Sequence, residues 1–207
     1  MKSRQDGHNQ KEGAMASPDP GCGAGQTKNG ESMAMTREGE SRRWHVLYLC
    51  TGNSARSILA EAWTRHAHGD RFLAMSAGSD PVGAVNRFAL RCLEEEGVAT
   101  EGLESKGLDR FLGPNAPRID LAVTVCDHAA RNCPVFPGAP IRLHWPLPDP
   151  ARIEPGEAMA MAAFRETLAV LKERIAALAE QAAAAGTIDA LKTRLAADPR
   201  AFLHPVG

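Results

Sequence analysis

The chain has 207 residues, 43% of them hydrophobic and 24% charged, with a formal net charge of −1 and five cysteines. That is enough apolar material for one sizeable core, and the near-neutral balance, with a pI of about 6.7, gives no electrostatic reason to expect nucleic acid or an anionic membrane as partner. With no secretory signal and no long apolar span, the cysteines are expected in a reducing cytoplasm.

Residues 1–43 contain no Val, Ile, Leu or aromatic side chain and are rich in Gly, Ser, Lys and Glu, which predicts a disordered tail. Met15, Met33 and Met35 are alternative starts within it, and Cys22 reads as an exposed thiol without a role. Hydrophobic periodicity then predicts a strand at 44–49, a helix at 55–67, a strand at 72–76, a helix at 86–96, strands at 121–125 and 141–145, and a helix at 158–185. Phe164, Leu168, Leu171, Ile175 and Leu178 recur at the spacing of a helix core face. Such alternation implies an α/β fold, an open parallel sheet flanked by helices, as a catalytic domain over 44–185. The segment 186–207 is a C-terminal extension, with a short helix within 187–203. A monomer is expected.

Three motifs carry chemistry. The first is Cys50-Thr51-Gly52-Asn53-Ser54-Ala55-Arg56-Ser57, between the first strand and the first helix. A short loop feeding a helix N-terminus leaves backbone N–H groups unpaired, and the helix dipole adds positive potential, so the loop suits a tetrahedral anion. The same field favours a thiolate, predicting a Cys50 pKa well below the roughly 8.5 of a free cysteine. Arg56 can grip two anion oxygens bidentately. The plainer reading is a buried strand-end thiol followed by a solvated arginine.

In the second motif, the buried-strand run Leu121 to Val125 leads into Cys126-Asp127-His128-Ala129-Ala130-Arg131-Asn132-Cys133-Pro134. Ligands of parallel α/β sheets gather outside the carboxyl ends of the strands, so Cys126 and Cys133 are expected near Cys50, as thiols able to relay oxidation. Two unrelated structural thiols are the alternative. His128 and His144 complete no familiar ligand spacing, and no bound metal is expected. The third motif is Leu147-Pro148-Asp149-Pro150-Ala151, where flanking prolines restrict the backbone around Asp149. Held over the crevice beside an anion and among apolar neighbours, its carboxyl could act as general acid. An ordinary Asp-Pro turn is the alternative.

Taken with Ser76-Ala77-Gly78 and His144-Trp145, these motifs, in this order and spacing, resemble the thioredoxin-coupled arsenate reductases, which share the fold of low-molecular-weight protein tyrosine phosphatases. The resemblance runs from about Trp44 to about Ala185. It implies that Cys50 attacks arsenate, that residues 51 to 56 cradle the oxyanion, that Ser57 hydrogen-bonds the thiolate and that Asp149 protonates the departing oxygen. It further implies that Cys126 resolves the Cys50 adduct, that Cys133 takes over the disulfide, and that thioredoxin, rather than a bound cofactor, supplies the electrons.

Three positions depart from the family pattern. Ala55 stands where many members have a further cysteine, outside the relay, and Pro146 replaces a glycine usual after His-Trp. Lys106 falls where some members have an aspartate that helps bind potassium; next to Asn53, Glu61 and Ser76 its ammonium could substitute for that cation, and a solvated lysine is the plainer reading. Two other functions fit part of the pattern. Cys50, Arg56 and Asp149 would serve phosphomonoester hydrolysis, although no aromatic residue follows Asp149-Pro150, and the same pocket could serve a non-catalytic oxyanion or redox sensor.

Overall fold

The computed structural model describes residues 42–127, 139–153 and 156–198. Cys22, His128 and Cys133, and of the expected tail all but Arg42 and Arg43, lie outside the described residues.

Among the described residues the sheet has four strands, β1 (Trp44–Cys50), β2 (Phe72–Gly78), β3 (Leu121–Thr124) and β4 (Ile141–His144), in the order β2-β1-β3-β4. All pairings are parallel. β1 lies in the middle, and every residue from Val46 to Cys50 is buried, as a strand covered on both faces requires. Its alternating side chains feed two cores. Trp44, Val46, Tyr48 and Cys50 pack with apolar residues of helices α1 (Arg56–His68), α2 (Arg87–Glu95), α3 (Glu157–Ala183) and α4 (Ile188–Ala197). Leu47 and Leu49 face the other way, against Ala77, Phe111, Ile119, Ala122 and Ala139.

The expected elements are present, with ends shifted by the pairing. β2 runs on to Gly78 because Ser76, Ala77 and Gly78 pair with Tyr48, Leu49 and Cys50. β3 stops at Thr124, but the Val125 N–H still donates to the Leu49 carbonyl at 2.8 Å, which carries Cys126 to the end of β1. In α3, the expected face residues Phe164, Leu168, Leu171, Ile175 and Leu178 are all buried. The helix in the C-terminal extension is capped by the Thr187 hydroxyl, which accepts from the Ala190 N–H, and it docks through Leu191 and Leu195. Among the described residues no helix is long and apolar enough to cross a membrane.

Candidate functional site

Cys50 ends β1 and Arg56 opens α1, so the loop between them is spanned at both ends by regular structure. A second segment pins it from outside. The N–H groups of Ser79, Asp80, Val82 and Asn86 donate to the carbonyls of Cys50, Thr51, Gly52 and Ser54 at 3.1, 3.0, 3.1 and 2.9 Å. In a trans peptide C=O and N–H point in opposite directions. Carbonyls fixed outward therefore turn the next N–H groups inward, those of Thr51, Gly52, Asn53 and Ala55. The Asn53 N–H reaches Cys50 Sγ at 3.0 Å. Ala55 caps α1 without a side-chain hydrogen bond, so no side chain competes with an anion there.

Asn53 makes this turn possible. Its φ of 43° lies in the left-handed region, which Asn tolerates better than most residues. Its fully buried amide donates to Ser57 Oγ at 2.9 Å and to Ser76 Oγ at 2.8 Å, and its oxygen accepts from the Lys106 N–H at 2.7 Å. Ser76 in turn donates to Glu61, a carboxylate with no solvent exposure, and Glu61 pairs with Lys106 Nζ at 3.2 Å and with Arg65. The plain reading of Lys106 as a solvated lysine is corrected: its side chain is 9% exposed, because a buried carboxylate needs a cation. Asn53, Glu61, Ser76 and Lys106 thus meet beneath the loop.

Cys50 Sγ is hydrogen-bonded to Ser57 Oγ at 2.9 Å. Burial pushes its thiol up from the ordinary range and Cys126 adds to the rise, while Ser57, the Asn53 N–H and Arg56 pull it down. The expectation of a strongly lowered Cys50 pKa is corrected, since desolvation outweighs the donors. Cys126 is 4% exposed and its Sγ lies 3.7 Å from Thr51 Oγ1, so the second thiol does come to the loop of the first. Neither forms a disulfide.

Asp149 reaches the same cavity, about 830 Å³ in volume, from the far side. The turn reading and the site reading both hold. One carboxylate oxygen accepts from the Ala151 N–H at 3.2 Å, capping a short 3-10 turn at Pro150–Arg152, and the other lies 3.0 Å from Arg56 Nη2. Asp149 sits between Arg56 and Arg152, whose Nε is 3.7 Å away, in a cavity also lined by Val82, Leu147 and Pro148. Arg56 also donates to the Leu147 carbonyl at 3.0 Å. Residues 79–86 and Ser105, whose hydroxyl donates to the Gly52 carbonyl at 3.1 Å, were not picked out from the sequence. Residues 79–86 act through backbone N–H groups, which leave no pattern of residue types, and Ser105 acts through a single hydroxyl.

Residues 45–187 match the low molecular weight phosphotyrosine protein phosphatases. The chain belongs to that family. An arsenate reductase of Halalkalibacterium halodurans is 38% identical over 135 residues, 65% of this chain and 94% of that protein. The solved arsenate reductase of Archaeoglobus fulgidus is 30% identical with a TM-score of 0.52, covering 65% of this chain and 98% of that one. A thioredoxin-dependent arsenate reductase of Corynebacterium glutamicum is 25% identical with a TM-score of 0.52, covering 70% of this chain and 64% of that one.

Proposed function

We propose that this protein reduces arsenate to arsenite by a relay of three cysteines, recycled by thioredoxin in the cytoplasm. One observation carries the reading beyond that of a phosphatase: a second buried thiol, Cys126, lines the same cavity as Cys50, Arg56 and Asp149. A hydrolase needs the nucleophile, the arginine and the acid, and has no use for the second sulfur. The names of the relatives support the same choice.

In this mechanism the Cys50 thiolate attacks arsenic while the inward N–H groups and Arg56 hold the oxyanion, and Asp149 gives a proton to the oxygen that leaves as water. Because burial opposes the thiolate, the hydrogen bonds from Ser57 and Asn53 matter most as that charge forms. The Cys126 thiolate then attacks Cys50 Sγ. An S–S bond forms, the S–As bond breaks, and its electron pair leaves with arsenic, which passes from the +5 to the +3 state as arsenite. Attack by Cys133 on Cys126 frees Cys50, and the dithiol of thioredoxin reduces the Cys126–Cys133 disulfide. Beneath the loop, the Lys106 ammonium takes the place of a bound cation.

The test is arsenate-dependent NADPH oxidation in the presence of thioredoxin and its reductase. Turnover is expected in the parent and absent in Cys50→Ser, Cys126→Ser and Cys133→Ser. Parent-rate turnover in both Cys126→Ser and Cys133→Ser would replace the relay with the phosphatase reading, for which hydrolysis of a small aryl phosphate by Cys50, Arg56 and Asp149 is the measurement.

A further inference from the structure

His144 ends β4, outside the loop of Cys50, yet both of its ring nitrogens are engaged. Nδ1 lies 2.8 Å from the hydroxyl of Thr124, the last residue of β3, and Nε2 lies 3.2 Å from Oδ1 of Asp127, the residue after Cys126. The ring is 13% exposed, whereas Asp127 is 64% exposed. The Thr124 hydroxyl, which also donates to the Leu143 carbonyl at 3.3 Å, holds the ring at Nδ1, and a proton on Nε2 makes that nitrogen the donor to the Asp127 carboxylate. The hydroxyl thus holds the ring, and the ring supplies the donor. Backbone bonds hold this arrangement in place, since the Trp145 N–H donates to the Thr124 carbonyl and the Val125 N–H to the Leu49 carbonyl, each at 2.8 Å.

The consequence concerns Cys126. On its upstream side the chain is fixed by Val125; on its downstream side the mostly exposed side chain of Asp127 is bonded to the half-buried His144 ring. We propose that His144 is a positioning residue for Cys126, which through Asp127 holds the chain just after the second sulfur so that this sulfur stays beside Cys50. This rests on the relay proposed above. The step it serves is the attack of the Cys126 thiolate on Cys50 Sγ, in which the S–S bond forms as the electron pair of the S–As bond leaves with arsenic. Attack at a sulfur requires alignment, and a displacement of about 1 Å can slow such a step by around two orders of magnitude.

The experiment is single-turnover release of arsenite without thioredoxin, in Thr124→Val, His144→Ala, His144→Gln and Cys126→Ser, paired with alkylation of Cys126 and Cys50 followed by peptide mapping. Thr124→Val removes the hydroxyl at nearly constant shape, and His144→Gln offers an amide donor in place of Nε2. Release is expected to fall about tenfold or more in Thr124→Val and His144→Ala and to recover largely in His144→Gln. Alkylation should quicken at Cys126 and stay at the parent rate at Cys50. Parent-rate release in both Thr124→Val and His144→Ala, while Cys126→Ser releases none, overturns the clamp and leaves the relay standing. Equal acceleration of alkylation at both cysteines also overturns it, as a sign of general loosening. Parent-rate release by Cys126→Ser removes the relay and the clamp together.

Discussion

Arg56 and Asp149 are bonded to each other, Nη2 to Oδ2, at 3.0 Å. The guanidinium proposed to hold an oxyanion is held by the carboxylate proposed to protonate the leaving oxygen. An anion entering the cavity must compete for the arginine with the Asp149 carboxylate. The two proposed roles are thereby linked through one ion pair.

Asp149→Asn should therefore separate the two. The amide competes less well for Arg56, so inorganic phosphate should inhibit at several-fold lower concentration, while the first chemical step slows by about two orders of magnitude for want of a general acid. Phosphate inhibition constants and single-turnover rates measure both. Weaker phosphate binding in this variant would contradict the competition.

Ser57→Ala removes a hydrogen bond that pulls the Cys50 thiol down, and leaves burial, which pushes it up, unopposed on that side. The Cys50 pKa should rise further. Since the thiolate is the reactive form, alkylation of Cys50 should need higher pH, and at pH 7 it should be slower than in the parent. A profile shifted towards acid would mean that Ser57 does not stabilise the thiolate.

Lys106→Ala leaves Glu61, which has no solvent exposure, with only Arg65 as its cationic partner. Breaking a buried pair in this way costs about 3 kcal/mol or more. Thermal unfolding should show a clear loss, and potassium chloride should restore more of it than choline chloride if a small cation can fill the ammonium's place. An unchanged melting temperature would show that the pair is not holding the loop.

Gly78→Ala tests the approach of β2 to the loop. A Cβ there would lie 2.4 Å from the Thr51 carbonyl oxygen and 3.0 Å from the Asn53 nitrogen, both backbone atoms. The loop must shift, and with it the N–H groups facing the anion. Activity should fall by at least tenfold with a stability loss of about 1–3 kcal/mol, typical of overpacking. Near-parent activity would indicate that the cradle accommodates the methyl group.

How much of this could be read from the sequence follows from where the information sits. Cys50, Arg56, Cys126 and Asp149 were legible because each follows a strand or opens a helix at a spacing that chemistry requires. The bracing by residues 79–86 was not, since Ser79, Asp80, Val82 and Asn86 contribute only N–H groups. The family resemblance groups Glu61 with Asn53, Ser76 and Lys106, but the full burial of its carboxylate between the cations of Lys106 and Arg65 is set by packing that no local spacing shows. The direction of the Cys50 shift was missed for a related reason, because donors can be counted along a loop while desolvation depends on what packs over it.

Leu49 faces Thr124 across neighbouring parallel strands, and the two thiols follow within two residues on each. A bond between Cys50 and Cys126 would thus act as a rivet between adjacent rails, spaced by the roughly 4.8 Å of a hydrogen-bonded pair, with no need to drag remote parts of the chain together. In the proposed relay the sheet would serve as a ruler for the chemistry, with the two sulfurs meeting at the carboxyl ends of its two inner strands.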